Sequence, residues 1–437
     1  MSKRSVPLSR RFGLLVLGVL AAATAAVACS GDDSPGATAG TDAGSTSDAT
    51  TGSDGETTAD TAAPDTANPD AGGGDAAGDA HDAAVDTGPP FDCTIDTPDG
   101  GDSGAYQLPT DLRCTGLYAD WNTKTVAADA RPYAPAYALW SDGAVKSRWI
   151  HLPAGQKIDA TNPNEWSFPA GTKLWKEFVV GGKRVETRHY LKLADLTWAR
   201  TTYQWSLDES TATRLDTGAG GPPADAGLID DGGGLDGATY YEIPSVQSCD
   251  GCHAGRLDKV LGFDAVNLGG AAATGVTLTV LKNEGLLVTS DGGASPLPAT
   301  LTIPEDGTGK GQASIGWLHS NCGVACHNKN PSAGCSFMSM RLRVEVEELV
   351  PPSGTPTLQS LQTYTTTHDV ASTSGLGDPA MKPYSRIAHG DPSKSLIRYL
   401  IGRRTTTEFY GQMPWLDTHA VDVADVANLN AWITAMP

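Results

Sequence analysis

The chain has 437 residues, a formal net charge of −20 at pH 7, and hydrophobic residues at 39% of its positions. This length allows more than one folded domain, each with its own core. Because nucleic-acid binding depends on neutralising phosphates with Lys and Arg, the acidic balance argues against a nucleic-acid partner.

Residues 1–29 have the pattern of a bacterial lipoprotein signal peptide. Four basic residues precede an apolar run, residues 13–20, that is too short to cross a membrane. Small residues at 26–28 lead to Cys29, at the position where such a signal is cut. We therefore expect Cys29 to be lipidated and to anchor the chain in the bacterial cell envelope, at the outer membrane facing the periplasm or the cell surface. The alternative is an ordinary secretory signal in which Cys29 has no special role.

Residues 30–90 consist mostly of Asp, Ala, Gly, Thr, Ser and Pro, with Val85 as their only branched aliphatic residue. Such a segment cannot bury enough apolar surface to offset the entropy lost on ordering. The composition therefore predicts a disordered acidic tether between the anchor and the folded part.

Residues 91–244 have the pattern of a β-rich domain. Residues 147–152 read as a short strand, and residues 174–180 and 183–193 as a hairpin whose turn is Gly181-Gly182. Because Pro and Gly separate many short alternating runs, we predict a compact antiparallel sandwich or barrel.

The second arm of this hairpin alternates strictly between two faces. One face carries Val185, Thr187, His189, Leu191 and Leu193, and the other carries Arg184, Glu186, Arg188, Tyr190 and Lys192. His189, on the apolar face, is interpreted as a core histidine rather than a ligand.

The segment 245–310 begins with Cys249-Asp250-Gly251-Cys252-His253, a C-x-x-C-H motif. This spacing is typical of covalent attachment of a c-type haem. Two thiols bond to one edge of the porphyrin, and the adjacent imidazole binds the iron. On a helix these positions share a face, so Cys249, Cys252 and His253 can reach one ring. We expect His253 to be the proximal ligand of a first haem.

The segment 311–437 contains a variant of this motif, in which Cys322 and Cys326 precede His327. One extra residue separates the two cysteines. Both sulfurs still share a helical face, but the chain must bulge to meet the same ring. We predict a second covalent haem here, with His327 as its proximal ligand.

The chain after residue 245 has helical patterns. Weak periodicity covers residues 278–287, residues 316–322 lead into the second motif, and residues 392–403 and 422–436 predict two further helices. The last helix has an apolar stripe of Val423, Val426, Leu429, Trp432 and Ile433. The predicted fold is therefore α+β and multidomain, with an antiparallel β-rich N-terminal domain followed by a mostly α-helical, cytochrome c-like region.

The remaining cysteines are assigned by count. Exported proteins seldom keep free thiols, and Cys93 and Cys114 flank the start of the folded region, so we pair them as a disulfide. Cys335 is left over, either free or paired with Cys322 or Cys326. The second possibility would compete with the second haem.

Several segments of the chain resemble a cytochrome c domain. They are His319 to His327, His389 to Leu396, Gln412-Met413-Pro414 and Ala431-Trp432-Ile433. Upstream, Leu139 to Gly143, Arg148 to Ile150, Phe168 to Thr172, Trp175 to Phe178 and Glu186 to Arg188 are similar to a family of exported dihaem c-type cytochromes with a β region. This resemblance implies that Met413 is the distal ligand of the second haem and that the last helix packs on the helix carrying the attachment motif.

The sixth ligand of the first haem stays open among several residues: Met338, Met340, Met381, His189, His319, His389 and His419. Zinc is an alternative occupant of both motifs, since Cys and His also ligate zinc, but export and the motif order favour haem.

Three functions are compatible with the sequence. The first, which we favour, is a membrane-tethered electron-transfer cytochrome with one or two covalent haems and a redox partner protein that the sequence does not identify. The second is a haem redox enzyme, peroxidase-like, with an open iron site. The third is a binding module in the β region, served by an accessory cytochrome, which would place some of seven tryptophans on the surface: Trp121, Trp140, Trp149, Trp166, Trp175, Trp198 and Trp205.

Overall fold

The computed structural model describes the folded part of the chain. The described residues are 93, 108–194, 196–215, 241–244, 246–404 and 411–436, without the side chains of 246, 247 and 381. The predicted signal peptide, its lipidated Cys29 and the acidic tether lie outside the described residues.

An antiparallel sheet dominates the first half of the described chain. The strands are β1 Tyr118–Asp120, β2 Thr125–Val126, β3 Arg131–Ala134, β4 Val145–His151, β5 Ile158–Asp159, β6 Lys173–Val180, β7 Lys183–Ala194, β8 Thr197–Trp205, β9 Ala212–Arg214, β10 Thr274–Gly275 and β11 Leu287–Val288. Seven strands form one sheet in the order β10-β3-β4-β6-β7-β8-β9, and every pairing in it is antiparallel. The pairs β1–β2 and β5–β11 form two small separate sheets.

The predicted hairpin is confirmed as β6 and β7. Gly181 and Gly182 have φ values of 56° and 77°, as a two-residue turn between right-twisted strands requires. The predicted sandwich or barrel is wrong, because the described strands form one open seven-stranded sheet. The layer that covers this sheet is made of helices and loops from residue 246 onward, which a strand pattern does not reveal.

One face of the sheet, here named the inner face, carries Arg148, Lys176, Arg188 and Tyr190. Arg148, Lys176 and Arg188 are direct cross-strand neighbours on β4, β6 and β7. The sequence pattern marks this face as polar, yet Tyr190 and Lys192 on it are buried. The inner face therefore packs against the rest of the protein.

The opposite, outer face has its own small core, built around Trp175, Tyr203 and Trp205. The predicted core histidine is confirmed here, since His189 is 1% exposed and stacks on Trp175 with ring centroids 5.1 Å apart. The predicted disulfide is also confirmed. Cys114 lies in the short 3₁₀ helix Leu112–Thr115, which packs on this core, and bonds to Cys93.

The second half contains short helices joined by long irregular segments, so it is less helical than the sequence predicts. The helices are α1 Val246–His253, α2 Ala265–Gly269, α3 Leu278–Asn283, α4 Gly311–Leu318, α5 Val346–Leu349, α6 Gln362–Thr365, α7 Leu396–Ile401 and α8 Val423–Ala435, with 3₁₀ turns at Leu358–Ser360, Pro379–Met381 and Pro392–Lys394 and a π turn at His319–Gly323. None of the helices among the described residues has the length and apolar character needed to cross a bilayer.

The sheet and the helices share one hydrophobic core. It joins sheet residues such as Ile150 and Leu174 to Ile315 of α4 and to Leu429 and Trp432 of α8. The last helix, α8, packs on α4, which leads into the second motif without carrying it. The predicted division of residues 245–437 into two domains stays a prediction.

The apolar stripe predicted for the last helix is confirmed except at its first position. Val423 is 53% exposed, whereas Val426, Leu429, Trp432 and Ile433 are buried. Val423 is the first residue of α8, directly after its N-cap Asp422, and so lies at the end of the packed surface.

Candidate functional site

The first cysteine motif lies on one helix, as predicted. Cys249, Cys252 and His253 all belong to α1, which ends at His253. Positions i, i+3 and i+4 lie on one side of a helix, so the two sulfurs and the imidazole point in the same general direction.

The His253 ring is fixed in position on two sides. Its Nδ1 lies 2.5 Å from the carbonyl oxygen of Lys259, which can only accept, so Nδ1 donates and Nε2 is left free to bind a metal. Tyr190 of the inner face stacks on the ring, with centroids 4.9 Å apart and planes inclined by 23°. The pKa of His253 is lowered to about 3, mainly by burial; the hydrogen bond to Lys259 raises it, and the nearby Lys176 and Arg188 side chains add to the lowering. The imidazole is therefore neutral, as an iron ligand must be.

The loop after α1 is held to the sheet by one carboxylate. Asp258 is 2% exposed and accepts hydrogen bonds from Phe168 N at 2.7 Å and Trp198 Nε1 at 2.9 Å, and it forms an ion pair with Lys192 of the inner face. Since Asp258 directly precedes Lys259, these bonds fix the carbonyl that orients His253.

The second motif accommodates its extra residue through a π turn. The turn His319–Gly323 contains Cys322, and Val324 N donates to His319 O at 2.9 Å across five residues. His327 N donates to Cys322 O, also at 2.9 Å and across five residues. Wider turns bring positions i, i+4 and i+5 to one side. Cys322, Cys326 and His327 thus regain a common face, and the bulge that the spacing requires is present.

The His327 ring is buried and has an unsatisfied nitrogen. Its Nδ1 has no hydrogen-bond partner among the described residues. The pKa of His327 is lowered to about 4, mainly by burial and to a smaller extent by the cations of Arg341 and Arg386. A neutral imidazole with an unpaired buried nitrogen fits a residue that binds iron.

One apolar cavity brings the predicted residues of the second haem together. Cys322, Cys326, His327 and Met413 line it, and so does Cys252 of the first motif. Its other lining residues are mostly apolar and include Met338, Met340, Leu342, Leu376, Leu396, Ile397, Leu400, Ile401 and Trp415. Two thiols, an imidazole and a thioether set in apolar walls are the side chains that hold a covalently attached haem. The residues present therefore fit a haem.

None of the four motif cysteines takes part in a disulfide, so neither Cys322 nor Cys326 pairs with Cys335. Cys335 is itself disulfide-bonded and is therefore not a free thiol. Burial raises the pKa of both Cys322 and Cys326 to about 12. The competing disulfide is therefore excluded in this structure, and both thiols are present in protonated form.

The motif residues are not gathered into a zinc site. Within the described part of the chain, the single group of three or more metal-ligating side chains that lie close together is His368, Asp369 and His389, outside both motifs. A structural zinc site needs four ligands around one point. The zinc interpretation of the motifs is thus not supported by their geometry.

The two motifs are in direct contact. Gly255, just after the first motif, lies against Ala325 inside the second, and Asn328 Nδ2 donates to Gly255 O at 3.3 Å and to Gly323 O at 2.8 Å. The sequence gives no signal for this contact, because the two motifs are far apart along the chain.

Met413 lies on a loop that touches both motifs. Its N donates to Leu400 O at 2.9 Å, which ties the loop to the end of α7. Three residues later, Leu416 packs on Gly251 of the first motif, where an added Cβ would stand 2.5 Å from Leu416 Cδ1. Met413 itself is partly buried in the cavity.

Two residues that the sequence did not mark as functional hold this loop. The Asp142 carboxylate accepts from His419 N at 3.0 Å and Ala420 N at 2.9 Å. Trp140 links the loop to the second motif, because its Nε1 donates to Ala420 O and its backbone N to Asn321 Oδ1. Both residues belong to the segment Leu139 to Gly143. Its resemblance to the dihaem family was the only sequence signal for this segment, and it indicated no chemical role.

The alternatives for the sixth ligand of the first haem differ in their surroundings. Met338 and Met340 line the cavity, and the side chain of Met381 lies outside the described residues. Each of the four histidines has other contacts. His189 stacks on Trp175 on the outer face, and His319 Nδ1 accepts from Val344 N. His389 Nδ1 lies 3.2 Å from His368 Nε2, and His419 Nε2 lies 2.6 Å from Glu242 Oε2.

Comparison with known proteins gives no independent identification. No protein-family model matches the chain, and neither a curated protein nor a solved structure shows significant similarity to it. The case for a function therefore depends on the residues of the two motifs and on the cavity that they share with Met413.

Proposed function

We propose that this chain is a c-type cytochrome that transfers electrons in the bacterial cell envelope, tethered to the membrane through a lipid on Cys29. It carries two covalent haems, one at Cys249, Cys252 and His253 and one at Cys322, Cys326 and His327. Its partners are the membrane, reached through the lipid anchor, and a redox protein of unknown identity. Nucleic acid is not among them.

One observation supports this proposal most directly. Cys322, Cys326 and His327 line the same apolar cavity as Met413, a residue from a distant part of the sequence that had been selected only for its likeness to a distal ligand. A thioether, an imidazole and two thiols would rarely meet in one apolar cavity by chance.

Each of these side chains has a distinct task in the proposed site. A bound haem iron supplies reversible one-electron transfer. The thiols of Cys322 and Cys326 would hold the group covalently, and His327 and Met413 would provide a nitrogen and a sulfur as ligands to its iron. The apolar lining excludes water, and burial together with ligand identity sets the potential.

The surroundings of the first motif position a ligand in the same way. Lys259 O and Tyr190 fix the ring of His253 and leave Nε2 free. Such hydrogen bonds to the second ring nitrogen orient metal-binding histidines and raise their basicity. The inner face of the sheet therefore supports the first haem, and the β region contributes to the site.

A haem redox enzyme, peroxidase-like, is the second candidate function. It is favoured by the engagement of His189, His319, His389 and His419 in contacts of their own, which leaves the first iron without an evident histidine as sixth ligand. Binding of carbon monoxide to the reduced protein at the first haem would favour this candidate over pure electron transfer.

A binding module in the β region has less support. Four of the seven tryptophans named above are buried and three are partly buried, so none of them is exposed. A carbohydrate platform needs exposed aromatic faces, and these side chains build the core instead.

The decisive experiment is a count of haems per chain by alkaline pyridine absorbance, on protein expressed with the haem-attachment machinery. Two haems per chain are expected. One haem would remove the second site from the proposal, and no covalent haem would overturn the proposal as a whole.

A further inference from the structure

We propose that His368, Asp369 and His389 form a surface site for one divalent transition-metal ion of the Zn²⁺ type. One ligand atom from each of these residues lies within 4.8 Å of the others. The site is separate from the two cysteine motifs, and the inference does not depend on the proposed function.

The spacing of the two imidazoles suits a shared ion. His368 Nε2 lies 3.2 Å from His389 Nδ1. Nitrogen ligands lie at about 2.0–2.1 Å from zinc in tetrahedral sites, which places two of them roughly 3.3–3.4 Å apart. Zinc can therefore enter between the two nitrogens with only a small adjustment. The competing interpretation is a single hydrogen bond between the two rings.

The backbone brings the three ligands together before any ion binds. The segment at His368 pairs with Ile387 in a parallel bridge, and Asp369 N donates to Ile387 O at 2.8 Å. His389 N in turn donates to Asp369 Oδ1 at 2.8 Å. Because these bonds are already formed, little ordering entropy is left to lose on binding.

Two further features favour a ligand role for these side chains. Tyr364 stacks on His368 with centroids 4.4 Å apart and planes inclined by 13°, which limits rotation of the ring. Asp369 has a φ of 52°, in the left-handed region that non-glycine residues seldom adopt. Such a conformation is kept where the surrounding structure requires a particular side-chain direction.

The donor set determines the class of ion. Two imidazole nitrogens and one carboxylate oxygen suit zinc, copper, nickel or iron, whereas magnesium and calcium prefer oxygen ligands alone. Asp369 and His389 are exposed and His368 is partly buried, so water can fill the remaining positions. Three protein ligands with an open position differ from a closed structural zinc site, which has four.

The test is a zinc titration of the full chain, haem-loaded and purified in detergent without a polyhistidine tag, after chelator treatment. Binding is followed by calorimetry and by competition with a chromogenic chelator, with Mg²⁺ as a control ion. We expect one Zn²⁺ per chain, with at least a ten-fold loss of affinity in His389→Ala and a smaller loss in Asp369→Asn. His151→Ala is the matched control, since His151 lies 3.0 Å from Asp129 in a pair without a second imidazole, and it should bind zinc as the unchanged protein does.

The proposal is overturned if the unchanged protein takes up no zinc, or if His389→Ala and Asp369→Asn both bind as tightly as it does. It is also overturned if His151→Ala loses affinity equally, because binding would then be unspecific. Haem content and near-ultraviolet circular dichroism of each variant are recorded on the same samples. A loss of zinc binding with unchanged haem content and fold supports the site. Failure of the zinc proposal would say nothing against the two haems.

Discussion

Gly255 lies so close to the main-chain oxygen of Ala325 that a Cβ at position 255 would stand 1.8 Å from it. One residue belongs to the loop after the first motif, and the other lies between the cysteines of the second. The two cysteine motifs thus meet backbone to backbone, and a side chain at this point would drive them apart.

Gly255→Ala should therefore destabilise the protein. Overpacking a close contact costs typically about 1–3 kcal/mol, and the neighbour here is backbone that cannot rotate away. Urea denaturation of the haem-loaded protein measures the change in the free energy of unfolding. Gly334→Ala is the control, because a Cβ there meets nothing within 4 Å. Equal stability of the two variants would contradict the close contact.

Haem attachment should depend on each motif separately. Replacing Cys249 and Cys252 with Ala should remove one haem per chain in a denaturing haem stain, and replacing Cys322 and Cys326 should remove the other. The control is the pair Cys93→Ala and Cys114→Ala, which breaks the disulfide and should leave both haems in place. Unchanged stoichiometry in either motif variant would show that no haem is attached there.

The sequence predicted those parts of the site that depend on local spacing. The helical face of the first motif, the need for a bulge in the second, and the pairing of Cys93 with Cys114 follow from short-range chemistry, and the structure has all three. Met413 was selected by resemblance, and the structure places it in the cavity beside His327.

The sequence failed where partners come from far along the chain. Strand alternation places Lys192 on the more polar face of β7, but the residue is buried in an ion pair with Asp258, 66 residues away. A buried charge needs such a partner, and alternation along one strand cannot reveal it. For the same reason the sheet was expected to pack on a second sheet, although helices and loops cover it.

Asp142 should matter for the loop that carries Met413. Its carboxylate is 4% exposed and accepts from two backbone N–H groups of that loop. Hydrogen bonds to charged groups contribute about 1.5–3 kcal/mol, so Asp142→Ala should lower the free energy of unfolding by an amount of this order. It should also make the second haem more accessible to carbon monoxide. Asp208→Ala is the control, because this exposed carboxylate accepts hydrogen bonds only within its own turn, from Ser206 and Ser210, and its loss should leave carbon monoxide binding unchanged. Unaltered carbon monoxide binding in Asp142→Ala would show that the loop is positioned by other contacts.

We expect membrane association of the protein to depend on Cys29. In the proposed function a lipid on this residue is the anchor, since an acidic tether has no membrane affinity of its own. Cys29→Ser should move the protein from detergent-dependent fractions to the soluble periplasm, as fractionation and immunoblotting would show. Cys93→Ser is a suitable control. Retention of Cys29→Ser in the membrane would mean that the anchor lies elsewhere.

The last prediction concerns Met413. Its N is bonded to Leu400 O, and its side chain enters the cavity lined by His327. Thioether ligation favours ferrous iron and raises the potential. Met413→Leu has nearly the same volume but no ligating atom, so it separates ligation from packing. We expect it to lower the potential of one haem by on the order of 100 mV, within the roughly 0.8 V that axial ligands span, and to open that iron to carbon monoxide. The other haem should be unaffected, and stability should change by less than about 1.5 kcal/mol.

Met340→Leu is the matched control for Met413→Leu. Met340 lines the same cavity and is more deeply buried, so a general effect of exchanging a methionine in this apolar wall would appear in both variants. Potentiometric titration and carbon monoxide difference spectra of the two proteins distinguish the cases. If Met340→Leu shifts the potential and Met413→Leu does not, Met340 is the ligand and Met413 serves packing. If neither variant shifts a potential, the sulfur on the iron axis must be sought at Met338, which lines the same cavity.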